Sequence, residues 1–166
     1  MSATNRVTTL EAAVDADGRV RALRWDQIED VGAHIRAPEP ATLYRMHGNL
    51  TGAYDIRHVA VRNRVVLTNK TPTGLNRGFG GPQVYYALER LMQRIAVELK
   101  LDPVEVIRRN LIPSGAFPYR TATGALLDSG DYVKAFGARL GPACAQLRET
   151  AVPPRQAPQP PRGVPF

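Results

Sequence analysis

The sequence predicts an α+β fold, in which a mixed or antiparallel sheet precedes a glycine-rich loop and two helices. Short apolar runs separated by turn residues fill residues 7–68, as expected for strands. Three glycines then fall within residues 78–81. Beyond them the apolar period changes to 3.6 residues, which is the period of a helix that faces a core on one side.

The sheet begins with a predicted hairpin over residues 7–25. Its two apolar runs flank Asp17 and Gly18, and an Asp-Gly pair in this position favours a tight turn. The second strand is expected to continue toward Val31. Further strands are predicted at 54–56 and 59–67, and a polar connection at 68–76 leads into the glycine loop.

Two helices are predicted after the loop. The first covers 82–99 and places its apolar residues on one face: Val84, Leu88, Leu91, Met92, Ile95, Ala96 and Leu99. Tyr85 and Tyr86 at its start are read as packing residues. The second helix begins with Asp102 as N-cap, Pro103 at the first helical position and Glu105 completing a capping box, and it ends near Asn110.

Composition excludes several classes of protein. The formal charge of +7 suggests a nucleic-acid partner, but the basic residues are scattered and all but three are arginines, so no such partner is expected. The single cysteine, Cys144, excludes an internal disulfide and a cysteine-built metal site. The N-terminus has no apolar leader and no run is long enough to span a membrane, so a cytoplasmic protein is predicted.

The glycine loop, Arg77-Gly78-Phe79-Gly80-Gly81-Pro82-Gln83, is the candidate site. A strand, a glycine turn and a helix suggest a phosphate cradle, but Gln83 stands where the dinucleotide motif needs its third glycine. A tight turn with Phe79 in the core and Arg77 on the surface is the structural alternative. The residue types alone leave a binding role and this alternative open.

A longer pattern favours the binding role. The loop is followed by Ala87-Leu88-Glu89-Arg90-Leu91-Met92, by Leu101-Asp102-Pro103-Val104-Glu105-Val106 and by Asp128-Ser129-Gly130-Asp131-Tyr132. In this order and spacing, residues 7–135 closely resemble the molybdopterin-binding large subunit of the xanthine dehydrogenase / aldehyde oxidase family, the molybdenum hydroxylases. The chain would then be part of the first molybdopterin-binding domain.

The resemblance implies roles for the loop and a set of cofactors. Arg77 and Gly78 would bind a molybdenum-molybdopterin cofactor, for which the cytosine dinucleotide form is one option, and Phe79 would pack against a flat substrate. A cysteine at the position of Gly78 ligates copper in the related carbon monoxide dehydrogenases, so copper-based oxidation is disfavoured here. The implied reaction is hydroxylation of an aldehyde or N-heterocycle, with electrons leaving through 2Fe-2S and FAD on other domains or subunits.

No catalytic residue or metal ligand is assigned on this chain, because the family's glutamate base belongs to a second domain. Acidic residues on the predicted helices and in the later loop are expected to be solvent-facing or structural: Glu89, Glu98, Glu105, Asp128 and Asp131. The histidines lack metal-ligand spacing, and only His47, beside Gly48, is of interest.

The domain organisation is predicted as a partial molybdopterin-binding domain at 1–136 and a divergent, proline-rich tail at 137–166 that lacks packed structure. The change looks like a truncated or frameshifted reading frame. We therefore expect a fragment that is inactive alone and that needs the remainder of the large subunit with iron–sulfur and flavin subunits. The alternative is a non-catalytic remnant or an assembly piece of a split subunit, whose helix 84–99 would expose its apolar face.

Overall fold

The computed structural model describes residues 5–35, 46–74, 77–78 and 80–149, with side chains up to 140. Its elements are the strands β1 (Asn5–Val14), β2 (Val20–Asp30) and β3 (His58–Val66), the helices α1 (Gly81–Leu99) and α2 (Pro103–Asn110), the short strands β4 (Tyr119–Arg120) and β5 (Leu126–Leu127), and the helix α3 (Tyr132–Glu149). The predicted α+β class is confirmed. Contacts divide the chain into units at 1–133 and 134–166.

The predicted hairpin is confirmed. β1 and β2 are antiparallel, with Leu10 opposite Trp25. Gly18 adopts a φ of 87° in the turn, and its N–H donates to the carbonyl oxygen of Asp15 over 2.9 Å. The turn therefore depends on a residue that tolerates a left-handed conformation, which is why the Asp-Gly pair was informative.

The sheet is mixed. β3 runs parallel to β2, with Val61 opposite Trp25, and the strand order is β1-β2-β3. The strand predicted at 54–56 is wrong, since the structure has only a single bridge between Tyr54 and Leu111 there. The backbone N–H of Asp55 donates to the carbonyl oxygen of Asn110 over 2.8 Å, so this segment bonds to the end of α2 instead of to a strand.

The apolar face of α1 is buried in the core. Val84, Leu88, Met92, Ile95 and Ala96 are all buried, as the period predicted. Leu91 is only half-buried and Leu99 is 37 % exposed. The chain itself thus covers most of the face that the remnant hypothesis expected to be exposed. Tyr85 and Tyr86 are 40 % and 69 % exposed, so neither is a core residue. Tyr85 still packs as predicted, since a Cβ added to Gly81 would lie 3.5 Å from its ring.

α2 begins as predicted. The carboxylate of Asp102 accepts a hydrogen bond from the N–H of Val104 over 2.7 Å, and Pro103 is the first helical residue. Glu105 does not complete a capping box as expected, because its carboxylate binds Arg108 over 2.6 Å. The N-cap bond alone orders this end of the helix.

The region after residue 132 contains a helix. Residues 137–149 belong to α3, in which alanines and other helix-forming side chains outnumber the single Pro142. The rest of the tail lies outside the described residues, and the predicted domain boundary and lack of packed structure at 137–166 stay predictions. No helix in the described ranges has the length and apolar character of a membrane span.

Candidate functional site

The glycine loop forms a turn that delivers the chain into α1. The N–H of Gly81 donates to the carbonyl oxygen of Gly78 over 2.8 Å, and the carbonyl oxygen of Gly80 accepts from Val84 over 3.1 Å. Gly80 is the N-cap with a φ of 88°, and Pro82 lies in the first turn. The prediction of a glycine loop on a helix N-terminus is confirmed.

Gly78 is the most constrained position of the loop. Its φ is 95°, and a Cβ added to it would lie 2.9 Å from the ring carbons Cδ and Cγ of Pro82. Only glycine satisfies both conditions without a shift of the backbone. Arg77 and Gly78 are exposed while Gly80 and Gly81 are buried, so the loop is anchored on one side and open to a ligand on the other.

Three residues in and just before the loop lie outside the described residues, namely Leu75, Asn76 and Phe79. The substrate contact expected of Phe79 therefore stays a prediction. Arg77 and Gly78, the two residues expected to bind the cofactor, are adjacent on the exposed side of the turn.

A second segment, residues 46–54, lies along the first turns of α1. A Cβ on Gly81 would lie 3.8 Å from the terminal methyl of Met46. The side-chain amide of Asn49 donates to the hydroxyl of Tyr85 over 2.9 Å. Further along, a Cβ on Gly52 would lie 3.3 Å from the side chain of Leu88, so small residues allow this close approach.

The turn between β4 and β5 also contacts residues 46–54. The hydroxyl of Thr121 donates to the carbonyl oxygen of Gly48 over 2.7 Å and accepts from the N–H of Ala125 over 3.0 Å. A Cβ on Gly48 would lie 3.2 Å from the Cβ of Ala125, which leaves room for nothing larger. Segment 46–54 is thus held between α1 and the β4–β5 turn.

Tyr54 joins the same segment to α1 through Glu89. The tyrosine hydroxyl lies 2.9 Å from both carboxylate oxygens of Glu89, to which it donates. Burial raises the pKa of Tyr54 far above its ordinary value, and the negative charge of Glu89 and the hydrogen bond add to this effect. The hydroxyl therefore stays protonated and donates to Glu89, and this pair joins segment 46–54 to α1.

The other candidate residues are not brought together. Glu98 and Glu105 are exposed and pair with Arg94 and Arg108, as expected of solvent-facing charges. Asp128 and Asp131 are exposed, as are His34 and His58, whereas His47 is half-buried beside the loop-facing Met46. Within the ranges that the structure describes, no group of three or more His, Cys, Asp or Glu side chains could hold a metal ion.

Sequence reasoning missed a row of buried polar side chains on β2. Gln27 and Glu29 are each only 1 % exposed. Trp25 and Thr8 donate to the Gln27 side-chain oxygen over 3.2 and 3.0 Å, and Arg6 lies 3.3 Å from the Glu29 carboxylate. The sequence contains a signal for this row of side chains. Every second residue of the strand faces inward, and these residues change from apolar to polar after Leu23.

Solved structures of larger proteins resemble this fold. Quinoline 2-oxidoreductase from Pseudomonas putida 86 superposes with a TM-score of 0.76 at 30 % identity, over 90 % of this chain and 20 % of that one. Aldehyde oxidoreductase from Desulfovibrio gigas gives a TM-score of 0.77 at 25 % identity, over 90 % of this chain and 16 % of that one. The fold is therefore that of one portion of these larger chains.

The chain belongs to the family of molybdopterin cofactor-binding domains, whose model matches residues 1–111. A curated relative, subunit gamma of the 6-hydroxypseudooxynicotine dehydrogenase complex of Paenarthrobacter nicotinovorans, is 32 % identical over 81 % of this chain and 18 % of its own length. The carbon monoxide dehydrogenase large chain of Hydrogenophaga pseudoflava is 33 % identical over 74 % of this chain and 16 % of its own. The predicted resemblance is confirmed, and the chain spans less than a fifth of the length of these two relatives.

Proposed function

We propose that this chain forms one wall of the cofactor site in a molybdenum hydroxylase-type oxidoreductase that acts on an aldehyde or N-heterocycle. The observation that carries the proposal is the geometry of Gly78. It is exposed, it has a φ of 95°, and its lack of a side chain is required by Pro82. The family model covers this position, so a bare backbone here fits close approach of the cofactor.

The residues of the loop fit a molybdopterin group. Such a cofactor is anionic and rich in polar atoms, and a helix N-terminus with a bare backbone favours anions. The exposed guanidinium of Arg77 adds a fixed positive charge beside the N-terminus of α1. The bound cofactor would supply the two-electron oxidation, and the cytosine dinucleotide form is one candidate.

Each residue of the loop has a proposed task. Arg77 and Gly78 bind the cofactor, while Phe79 packs against a flat substrate. The hydrogen bond from Gly81 to Gly78 holds the turn in a fixed conformation before the cofactor arrives. Copper chemistry is disfavoured because Gly78 offers no thiolate, although one relative is a carbon monoxide dehydrogenase large chain.

The isolated chain is proposed to be inactive. It spans 18 % or less of the two relatives described above, so the remainder of a large subunit is needed to supply the opposite wall and the base. Iron–sulfur and flavin subunits would carry the electrons onward. The alternative of a remnant or assembly piece predicted that this helix would expose its apolar face, whereas most of that face is buried within the chain.

Co-purification tests the proposal. A tagged form of the chain is produced in a host that makes the molybdenum cofactor, both alone and together with the remainder of a large subunit and its iron–sulfur and flavin subunits. We expect substrate-dependent dye reduction with aldehydes or N-heterocycles only in the assembled complex. Dye reduction by the chain alone would contradict the claim of inactivity, and failure to join any complex would favour the remnant.

A further inference from the structure

A groove of about 720 Å³ lies between β1 and α1. Its apolar lining includes Leu10 from the strand and Ala87 and Leu91 from the helix. Arg6, Arg90 and Arg94 also line the groove. The groove therefore combines apolar side chains with three arginines.

This side of α1 differs from the face that packs in the core. The core face carries Val84 and Leu88, whereas the groove is lined by Ala87, Leu91 and the more exposed Tyr86. Tyr86 is 69 % exposed, which is unusual for so large a side chain beside an apolar groove. The helix thus presents a second, partly apolar face that the described chain leaves open.

β1 is an edge strand along the same groove. In the sheet that the described residues form, β1 is the outermost strand and pairs only with β2. An edge strand presents backbone N–H and C=O groups that another strand can bond. Side chains of an added strand would alternate, so every second one would share the face of Arg6 and Leu10 and point toward α1.

The charged side chains that line the groove indicate what kind of molecule would bind there. None of its lining residues is Asp or Glu. Arg94 pairs with Glu98, and Arg6 with the buried Glu29, but Arg90 bonds only to the neutral side chain of Gln93 in the described structure. Acidic side chains on the occupant would complement this positive lining.

The same groove holds an unused acceptor. The side-chain oxygen of Gln83 is buried and has no hydrogen-bond partner among the described residues. A buried acceptor without a partner is destabilising by about 1–3 kcal/mol, so an incoming donor would be favoured here. A polypeptide offers such donors, whereas an acidic small molecule that is fully ionised offers none.

We propose that this groove receives an extended polypeptide segment, which adds to β1 as a further strand and carries acidic and apolar side chains on the face toward α1. This is strand addition at an open sheet edge, in which backbone bonds give affinity and side-chain contacts give specificity. The groove begins at Pro82 and Gln83, the last residues of the glycine loop, but neither Arg77 nor Gly78 lines it. The inference does not rest on the cofactor role proposed above.

A designed peptide tests the inference on the full chain. The probe is a fluorescent peptide of about nine residues, the length of a long strand, in which threonine alternates with glutamate or valine. Glutamate and valine then share one face. We expect saturable binding by fluorescence anisotropy, weakening with salt, together with slower hydrogen exchange of the β1 amides.

Matched variants locate the site. The pair Arg90→Glu and Arg94→Glu should weaken binding at least about tenfold, because attraction becomes repulsion at the groove. The pair Arg120→Glu and Arg139→Glu changes the net charge equally at two exposed positions outside the groove and should leave binding unchanged. Equal loss in both pairs would show general charge attraction and overturn the inference.

Altered peptides, tested for binding to the unmodified chain, decide whether a strand is added to β1 even if a variant of the chain does not fold. Replacing glutamate by lysine, or methylating the backbone nitrogens that would bond to β1, should abolish binding. Undiminished binding of the methylated peptide would overturn strand addition. Equal competition by citrate would show a site for small anions, and a dimer that protects β1 without any peptide would make a second copy the occupant; either result overturns the inference.

Discussion

The side-chain amide nitrogen of Asn110 donates to the carbonyl oxygen of Gly18 over 2.8 Å and thereby joins the end of α2 to the hairpin turn. The same side chain accepts from the N–H of Val20 and donates to the carbonyl oxygen of Val106, each over 2.8 Å. Asn110 is 1 % exposed, so these three bonds are made out of contact with water. They fix α2, and with it the region after the glycine loop, against the sheet.

Replacing Asn110 by alanine should destabilise the fold by about 2–4 kcal/mol, because a buried N–H and a buried carbonyl lose their partners. Urea unfolding followed by circular dichroism measures this change. Asn69→Ala, at an exposed position after β3, is the matched control and should lose under about 1 kcal/mol. Equal losses would refute the structural role of Asn110.

Asp30 should make stability depend on pH in acid. Its carboxylate accepts from Lys70, Thr68 and the N–H of Gly32, and these bonds lower its pKa from 3.8 to about 2. Since the folded-state pKa is depressed, the stabilisation is present above pH 3.8 and is lost as the pH falls toward about 2. Asp30→Asn should remove this part of the pH dependence, measured by urea unfolding across the range. An unchanged acid profile in the variant would contradict the assignment.

Tyr54 should make the stability of the fold depend on pH in the alkaline range. Burial and the contact with Glu89 raise its pKa above the ordinary value of 10.0, so the folded state holds a proton that the unfolded state releases. Stability is therefore full below pH 10.0 and falls above it. Tyr54→Phe should flatten this fall in alkaline unfolding experiments.

Tyr119 also contributes to the loss of stability in alkali, and its contribution has to be separated from that of Tyr54. Burial, followed by its bond to Asp55, raises the pKa of Tyr119 to about 12, so this residue also lowers stability in alkali. Tyr119→Phe should remove only its own share, and the double variant should remove both. If Tyr54→Phe keeps the whole loss of stability in alkali, the pair that Tyr54 forms with Glu89 is not the cause.

Gly78→Ala should destabilise the chain by about 1–3 kcal/mol, because alanine must adopt a positive φ and also meets Pro82. Gly124→Ala is the matched control, since Gly124 has a φ of 100° with nothing within 4 Å of an added Cβ. Thermal unfolding compares the two. A larger loss at Gly78 is expected from the added contact with Pro82, and a smaller loss there would contradict the geometry of the turn.

The sequence predicted those secondary-structure elements that are determined by residues close to one another in the chain. The Asp17-Gly18 turn and the helical period of α1 each depend on near neighbours in the chain, and both are confirmed. The strand predicted at 54–56 failed because its backbone bonds go to residues near Asn110, which is distant in sequence. The burial of Glu29 was equally unforeseen, since its partner Arg6 lies on the facing strand.

The candidate site was found by its residue pattern, but its roles came from the family resemblance. Three glycines before a proline indicate a turn into a helix, and the structure confirms that turn. No local rule states what Arg77 binds, because a cofactor contact depends on groups supplied by other polypeptide segments. Membership of the family is shown, while the contacts of Arg77, Gly78 and Phe79 remain proposals.

The decisive measurement for the cofactor role of the loop is the molybdenum content of the tagged chain, determined by elemental analysis after co-purification with its partner subunits. We expect molybdenum in the assembled complex, a marked loss in Gly78→Ala and no loss in Gly124→Ala, with complex formation itself unchanged. An assembled complex that retains full molybdenum in Gly78→Ala would contradict the claim that this loop forms a wall of the cofactor site.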